Sequence, residues 1–155
     1  MVFFVVKAKD FNLQDQNGEY HKLADYRGKW LLIYFYPKDD TPGCTKEACN
    51  FRDAINEFAK RGVTIVGISK DSIDSHKKFA DKYSLNFTLL SDPGHLVIES
   101  YGAWGIRKFM GKEFTGTRRN SYLINPTGKM AKEYMSVNPL THFEQILGDL
   151  DQLLN

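Results

Sequence analysis

The sequence predicts an α/β fold in which a mixed central sheet is flanked by helices. Two runs of strand-forming residues, Lys29–Tyr36 and Val63–Ser69, are almost continuously apolar, which is typical of central strands buried on both faces. A helical pattern follows each run, and this alternation of strand and helix favours parallel pairing. A strand–turn–strand pattern near each end of the chain adds antiparallel strands to the predicted sheet.

The N-terminal part of the chain predicts a small β-hairpin. Asn17-Gly18 separates the segments Phe11–Gln14 and Glu19–Leu23, and Asn-Gly is a strong signal for a two-residue hairpin turn. The apolar run at residues 1–6 lacks the basic region and the small-residue cleavage site of a signal peptide. We therefore expect an N-terminal strand or a poorly ordered end there.

A helix is predicted shortly after the first buried strand. Pro37 ends that strand, Thr41 is a favourable N-cap, and Pro42 suits the first helical position. Apolar residues then recur at spacings of four and three, which places them on one helical face: Phe51, Ile55 and Phe58.

The rest of the chain continues the alternation and closes with a second hairpin and a helix. The predicted elements are a helix at Ser72–Tyr83, a strand at Phe87–Leu90, a short helix at His95–Tyr101, strands at Ser121–Asn125 and Lys129–Met135, and a helix at Leu140–Leu154. This order matches a thioredoxin-like fold with an N-terminal β-hairpin extension, by analogy at the level of fold. Without an internal repeat or a linker, residues 1–155 are expected to form one domain.

Composition limits the classes of partner. The 21 Lys and Arg residues nearly balance the 19 Asp and Glu residues, and no unbalanced basic stripe indicates a nucleic acid or a membrane surface. No apolar run approaches the ~20 residues of a membrane span. We expect a soluble, cytoplasmic protein, unless a leader has been removed.

The two cysteines, Cys44 and Cys49, are the clearest candidates for chemistry. A secreted disulfide scaffold would carry more cysteines, and a close pair in a reducing compartment is more often redox-active or metal-binding. Cys44 lies three residues after Thr41, where free backbone N–H groups and the positive end of a helix favour a thiolate. This position is also the carboxyl end of a central strand, where open α/β sheets place their sites.

The spacing of the cysteines sets a geometric condition. In an intact helix, the Cα atoms of Cys44 and Cys49 would lie roughly 8.6 Å apart and point away from each other. A disulfide needs Cα atoms closer than about 7 Å, so either the bond never forms or the first turns unwind. Three interpretations stay open: a redox pair, two unrelated helical cysteines with Cys49 in the core, and a zinc site, although no histidine lies near in sequence.

The residues around Cys44 resemble the active-site motif of the peroxiredoxins. The stretch Tyr36–Cys44 contains Pro-x-x-x-Thr-x-x-Cys, and its continuation Thr45–Asp53 is similar to the bacterioferritin comigratory protein, or peroxiredoxin Q, subfamily. Further segments resemble the same subfamily: Gly67–Ser72, Ser75–Phe79, Leu90–Pro93, Tyr101–Gly105 and Arg119–Ile124. The resemblance runs from about residue 8 to the end of the chain.

The resemblance implies a role for each matched residue of the site. Cys44 would be the peroxidatic nucleophile, and Thr41 would hydrogen-bond the peroxide and the attacking sulfur. Pro37 would shield the site from water. Arg119 would stabilise the thiolate and the charge that develops on oxygen. The backbone N–H groups of Gly43 and Cys44 would cradle the peroxide.

The resemblance also implies the reaction. Cys44 would reduce hydrogen peroxide or an organic hydroperoxide and become a sulfenic acid. Cys49, the resolving cysteine by this resemblance, would then form a Cys44–Cys49 disulfide that thioredoxin or a similar dithiol reduces. No metal, haem or flavin is required, and the subfamily favours a monomer. The alternatives are a one-cysteine peroxidase resolved by an outside thiol and a redox-switched binding protein or chaperone.

Several residues depart from the family pattern or receive no role. The family usually begins with Ala-Pro-Asp-Phe, whereas here Ala8-Lys9-Asp10-Phe11 follows an apolar run, which leaves the geometry of the N-terminus open. Glu47 and Arg52 match subfamily positions, but residues five apart face each other poorly on a helix, and neither is assigned to the chemistry. His76 and His95 are expected on the surface.

Overall fold

A computed structural model describes residues 6–154 of the chain. The strand or poorly ordered end expected over residues 1–6 therefore lies outside the described residues, except for Val6. The chain that follows runs beside the C-terminal hairpin, where Lys7 forms an isolated antiparallel bridge with Lys129.

The elements follow the predicted order, with one additional hairpin. The strands are β1 (Asn12–Asp15), β2 (Tyr20–Lys22), β3 (Trp30–Phe35), β4 (Val63–Ser69), β5 (Thr88–Ser91), β6 (Trp104–Phe109), β7 (Lys112–Thr117), β8 (Ser121–Ile124) and β9 (Met130–Tyr134). The helices are α1 (Pro42–Asp53), α2 (Ile55–Lys60), α3 (Ile73–Tyr83), α4 (Leu96–Ser100) and α5 (His142–Leu153), and a 3₁₀ turn covers Leu23–Tyr26.

Seven strands form the mixed central sheet, in the order β2-β1-β5-β4-β3-β8-β9. The central strands β3, β4 and β5 are parallel. The two hairpins β1–β2 and β8–β9 extend the sheet on either side, because β1 pairs antiparallel with β5 and β8 pairs antiparallel with β3. The predicted mixed sheet is confirmed, and the predicted N-terminal hairpin forms one edge of it.

The side chains of β3 alternate between two hydrophobic cores, one on each face of the sheet. Leu32, Tyr34 and Tyr36 belong to the core that α1, α2, α3 and α5 cover. Leu31, Ile33 and Phe35 belong to the other core, which is covered by the N-terminal segment, the 3₁₀ turn and α4. The sheet is thus buried on both faces, with most of the helical mass on the face that carries the cysteines.

Two local features differ from the prediction. The helix expected to run on through Phe58 is divided at Ala54, whose ψ of 4° departs from helical geometry; neither proline nor glycine marks this position. The hairpin β6–β7 was not predicted at all. Its turn has positive φ at both Met110 (52°) and Gly111 (78°), as a tight hairpin turn requires, but most side chains of its outer half are exposed, so it lacks a clear inside–outside alternation.

Among residues 6–154, no helix combines the length and the apolar character needed to cross a membrane.

A buried histidine joins α5 to the sheet. Nε2 of His142 lies 2.8 Å from Oγ of Ser121, and its ring packs edge-on against Phe51 and Tyr134. Burial lowers the pKa of His142 to about 4. The imidazole is therefore neutral at physiological pH.

This burial predicts a loss of stability in acid. The pKa of His142 in the folded protein, about 4, lies below its ordinary value of 6.5, so the unfolded chain binds more protons between these pH values. The contribution of His142 to the free energy of unfolding should be fully present above pH ~6.5 and fall by about 3 kcal/mol as the pH drops to about 4. Urea unfolding of the wild type and of His142→Gln across this range should detect this loss as the difference between the two profiles.

The substitution His142→Gln should remove this contribution, because glutamine does not titrate. His95→Gln is the matched control, because His95 is only half-buried, and it should retain the wild-type profile. A difference between the wild type and His142→Gln that stays constant from pH ~6.5 to ~4 would show that His142 does not cause the loss.

Candidate active site

The first turn of α1 places Cys44 beneath the surface at the end of β3. Thr41 occupies the N-cap position, and the first backbone hydrogen bond of the helix runs from the N–H of Thr45 to the carbonyl of Thr41 (2.8 Å). The N–H groups of Gly43 and Cys44 precede this bond and have no acceptor within the helix. Cys44 is a free cysteine with only 1% of its surface exposed.

Arg119 reaches from the segment before β8 onto this first turn. Its guanidinium packs against Gly43 so closely that a Cβ on that residue would lie 2.7 Å from Nη2. The backbone carbonyl of Arg119 accepts a hydrogen bond from the N–H of Val137 (2.9 Å). This bond ties the backbone at Arg119 to the loop after β9. Arg119 and the turn that carries Cys44 are therefore in contact, although 75 residues separate them in sequence.

The hydroxyl of Thr41 does not cap the helix. It donates instead to the carbonyl of Lys38 (2.8 Å), and no side-chain hydrogen bond to the helix N-terminus is formed. A hydroxyl that donates one hydrogen bond can still accept others, so the oxygen of Thr41 remains free to accept a hydrogen bond. Pro37 lies half-buried directly after β3, at the same edge of the sheet.

The loop between β3 and α1 is anchored through Asp39. Its carboxylate accepts hydrogen bonds from the hydroxyls of Tyr36 (2.6 Å) and Ser75 (2.8 Å), and it lies 2.6 Å from Nδ1 of His76. The backbone N–H of Asp39 donates to the carboxylate of Asp71 (2.9 Å). The loop that carries Pro37 and Thr41 is thereby tied to the end of β4 and to α3.

The expectation that His76 lies on the surface is wrong. His76 is fully buried, and its Nε2 donates to the carbonyl of Leu90 (3.0 Å) while Nδ1 faces Asp39. Its partners are distant in sequence, so no local pattern marks it.

His95 is half-buried, with its ring stacked on Trp104 at 3.9 Å between centroids. Asp39, Asp71 and His76 also form the one group of potential metal-binding side chains among residues 6–154, and each of them is engaged in the hydrogen bonds described above.

Glu47 is a buried acid that sequence reasoning left out of the site. It lies one helical turn after Cys44, on the same face of α1, and its Oε1 is 3.5 Å from Nη1 of Arg119. Burial raises the pKa of Glu47 to about 8, and the neighbouring Arg119 lowers it only in part. The spacing of three residues from Cys44 was the signal that could have placed Glu47 in the site.

Cys49 lies in the same helix as Cys44, half-buried and free. It lines an open cleft of about 390 Å³ together with Thr41, Thr45 and Tyr83. The helical state of both cysteines fits the premise that they stand roughly 8.6 Å apart between Cα atoms. The partial exposure of Cys49 argues against its interpretation as a core residue.

A second cleft, of about 310 Å³, opens beside Arg119. Its walls combine basic and apolar side chains from the hairpin β6–β7, from the segment before β8 and from the loop after β9: Ile106, Arg107, Lys108, Arg118, Arg119, Ser136 and Val137. The hairpin that was not predicted from sequence therefore forms one side of the approach to Arg119.

Residues 6–133 match the AhpC/TSA family. Together with the thioredoxin-like fold and the cysteine at the start of α1, this match assigns the chain to that family, within which it belongs to the peroxiredoxins of the bacterioferritin comigratory protein group. Peroxiredoxins are thiol-dependent peroxidases, and the chain is an enzyme of this class.

Individual relatives agree with this assignment over nearly the whole chain. The chain is 43% identical over 147 residues to peroxiredoxin Bcp of Bacillus subtilis, covering 95% of this chain and 94% of the relative. It is 44% identical over 145 residues to peroxiredoxin Bcp of Escherichia coli K12, covering 94% and 93%.

Solved structures show the same similarity. A structure of Xanthomonas campestris bacterioferritin comigratory protein, described for its alkyl peroxide reduction activity, has a TM-score of 0.87 and 32% identity over 94% of this chain and 92% of that one. Peroxidoxin BcpB of Mycobacterium tuberculosis has a TM-score of 0.83 and 33% identity, with 94% of each chain covered.

The close packing of Arg119 on Gly43 gives a direct test of the site. In Gly43→Ala, the new Cβ would lie 2.7 Å from Nη2 of Arg119, so the guanidinium must move. Alanine favours a helix by up to ~1 kcal/mol over glycine. Stability should therefore be unchanged or higher, while oxidation of Cys44 by hydrogen peroxide slows by about 10- to 100-fold.

Stopped-flow oxidation and thermal unfolding measure the two effects separately. Gly148→Ala in α5 is the control, since a Cβ there meets nothing within 4 Å, and it should leave the rate of oxidation unchanged. Wild-type oxidation in Gly43→Ala would mean that the observed position of Arg119 is not needed.

Proposed function

We propose that Cys44 is the peroxidatic nucleophile and that Arg119, Thr41 and the first turn of α1 form its site. The observation that carries this proposal is the contact of the Arg119 guanidinium with Gly43, directly beside Cys44. A cation at this point and the positive end of α1 both favour a thiolate, which is the form of cysteine that attacks peroxide.

The surrounding groups stabilise the transition state. The thiolate of Cys44 attacks one peroxide oxygen and forms an S–O bond while the O–O bond breaks. Cys44 becomes a sulfenic acid, and the other oxygen leaves as water or an alcohol after protonation. Arg119 and the N–H groups of Gly43 and Cys44 supply positive charge where the leaving oxygen becomes negative. The hydroxyl of Thr41, which donates to Lys38, accepts a hydrogen bond from the peroxide. Pro37 limits access of water.

Cys49 resolves the sulfenic acid in the second step. Its thiol condenses with the oxidised Cys44, water leaves, and a Cys44–Cys49 disulfide forms. Because an intact helix separates the two Cα atoms by roughly 8.6 Å, the first turns of α1 unwind for this step. Phe51 is fully buried in the core, so we expect the end of α1 to remain in place.

The cleft beside Arg119 suits the hydroperoxide substrate, and the cleft that contains Cys49 suits the dithiol reductant. The cleft beside Arg119 has apolar as well as basic walls, which supports organic hydroperoxides and hydrogen peroxide as substrates. The X. campestris relative is described for alkyl peroxide reduction. The cleft that contains Cys49 is open to solvent, so thioredoxin or a similar dithiol can approach the resolving cysteine there.

We further propose that residues 1–155 act as a single domain, as a monomer and in the cytoplasm, without nucleic-acid or membrane partners. No metal or other cofactor takes part, because the cysteine sulfur atoms supply both electrons that reduce the peroxide.

The alternative reactions make different demands on Cys49. A one-cysteine peroxidase would leave Cys49 idle and take an outside thiol to the sulfenic acid. A redox-switched binding protein or chaperone would use the same disulfide but react slowly with peroxide. The half-exposed position of Cys49 in an open cleft favours the resolving role.

Two substitutions test the reaction. Cys44→Ser should abolish thioredoxin-coupled consumption of hydrogen peroxide while the protein stays folded, because a hydroxyl does not replace the thiolate nucleophile.

Cys49→Ser should still react once with peroxide but lose thioredoxin-dependent turnover, and mass analysis should detect a Cys44–Cys49 bond only in the wild type.

Substantial turnover by Cys44→Ser would rule out Cys44 as the nucleophile. Undiminished thioredoxin-dependent turnover by Cys49→Ser would instead support the one-cysteine alternative.

A further inference from the structure

A buried acid lies behind Arg119 that the proposed reaction does not use. Glu47 is in α1, one turn after Cys44, and its side chain is 2% exposed. Within residues 6–154, neither of its carboxyl oxygens has a hydrogen-bond partner. A buried carboxylate without hydrogen bonds is costly, so a structural role alone does not explain why an acid is buried here.

Arg119 is the one basic side chain within ion-pair distance of Glu47 in the described part of the chain. Nη1 of Arg119 lies 3.5 Å from Oε1 of Glu47 and is itself without a hydrogen-bond partner among the described residues. Nη2 of the same guanidinium packs against Gly43. One planar cation thus touches the turn that holds Cys44 on one side and a carboxyl group on the other.

We infer that Glu47 is a positioning residue that also sets the charge available to Cys44. As a neutral acid, Glu47 supports the guanidinium of Arg119 over the first turn of α1 and leaves its positive charge unopposed. As a carboxylate, Glu47 pairs with Arg119 and withdraws that charge from the sulfur and from the leaving oxygen. The inference rests on the role proposed for Arg119 in the reaction.

The other titratable groups near Glu47 do not produce the same effect. Tyr34 faces the site from β3, and burial together with the negative charge on Glu47 and Cys44 raises its pKa well above the ordinary value, so the phenol stays neutral. Arg107 on β6 lies within electrostatic range of Arg119 and Cys44, and a guanidinium stays charged throughout the accessible pH range. Cys44 itself is the reacting group.

The charge change of Glu47 falls in a range that kinetics can reach. Burial raises the pKa of Glu47 to about 8, so the carboxyl group is mostly neutral at pH ~7 and ionised at pH ~9. The second-order rate constant for oxidation of Cys44 by hydrogen peroxide should therefore fall above pH ~8. We expect a fall on the order of tenfold, less than the full loss of a transition-state stabiliser.

The test is the pH profile of this rate constant between pH ~6 and ~10, measured by stopped flow on the full chain. The wild type should show the alkaline fall. Glu47→Gln, which keeps the shape but does not ionise, should stay within about threefold of the wild-type rate at pH ~7 and show no alkaline fall. Glu57→Gln on α2 is the matched control, since the side chain of Glu57 is half-exposed and pairs with Lys60 and Arg61, and it should keep the wild-type profile.

Either of two results overturns the inference: a wild-type rate that does not fall up to pH ~10 while the protein stays folded, or an alkaline fall that persists in Glu47→Gln. If Glu47→Gln does not fold, infrared spectra of Cys44→Ser decide the question. A buried protonated carboxyl band should be present at pH ~7 and disappear above pH ~8, and its absence at pH ~7 overturns the inference.

These outcomes are distinct from a failure of the proposed function. Turnover that survives in Cys44→Ser would remove the nucleophile assignment, whereas an altered alkaline profile bears only on Glu47.

Discussion

The first turn of α1 must satisfy two opposed requirements, and the rest of the site follows from them. Its helical geometry places Cys44 among free backbone N–H groups and directly after Gly43, on which the guanidinium of Arg119 packs. The same geometry keeps Cys49, five residues later, beyond the reach of a disulfide. In the reaction that we propose, a helix that favours the attack on peroxide therefore opposes the disulfide step that follows it.

The contacts around α1 limit how much of the structure has to change. On the N-terminal side, Asp39 is held by side chains of Tyr36, Ser75 and His76, so the loop before the helix is firmly anchored. On the C-terminal side, Phe51 is fully buried against the sheet. Between these anchors, the loop after β9 reaches α1 through an exposed hydrogen bond from the side chain of Asn50 to the carbonyl of Leu140. Unwinding can thus be local, with the central strands as a fixed frame.

The sequence was most informative where physical signals are local. The buried strands β3 and β4, the Asn17-Gly18 turn and the start of α1 at Pro42 all follow from apolar runs or from the conformational preferences of single residues. The motif around Cys44 and the resemblance to peroxiredoxins directed attention to Arg119, which no local pattern would have connected with the helix. The hairpin β6–β7 was missed because its outer half is exposed and so shows no alternation against a core.

Long-range burial of polar groups was the part that sequence reasoning could not reach. His76 was expected on the surface, yet it is buried because Asp39, 37 residues earlier, supplies a partner. Glu47 is buried beside Arg119 across the sheet edge. In both cases the environment is created by chain segments that meet only in the fold, and a charged residue without a visible partner is ordinarily assigned to solvent.

The opening of α1 when Cys44 is oxidised is the step on which the proposed reaction depends most. Amide hydrogen exchange, followed by mass spectrometry on the reduced protein and on protein with a verified Cys44–Cys49 disulfide, measures this directly. We expect residues around 42–50 to lose protection in the oxidised form, while β3 and β4 exchange equally slowly in both forms. Identical exchange across residues 42–50 in the two forms, with the disulfide confirmed, would contradict the claim that the bond requires the first turns of this helix to unwind.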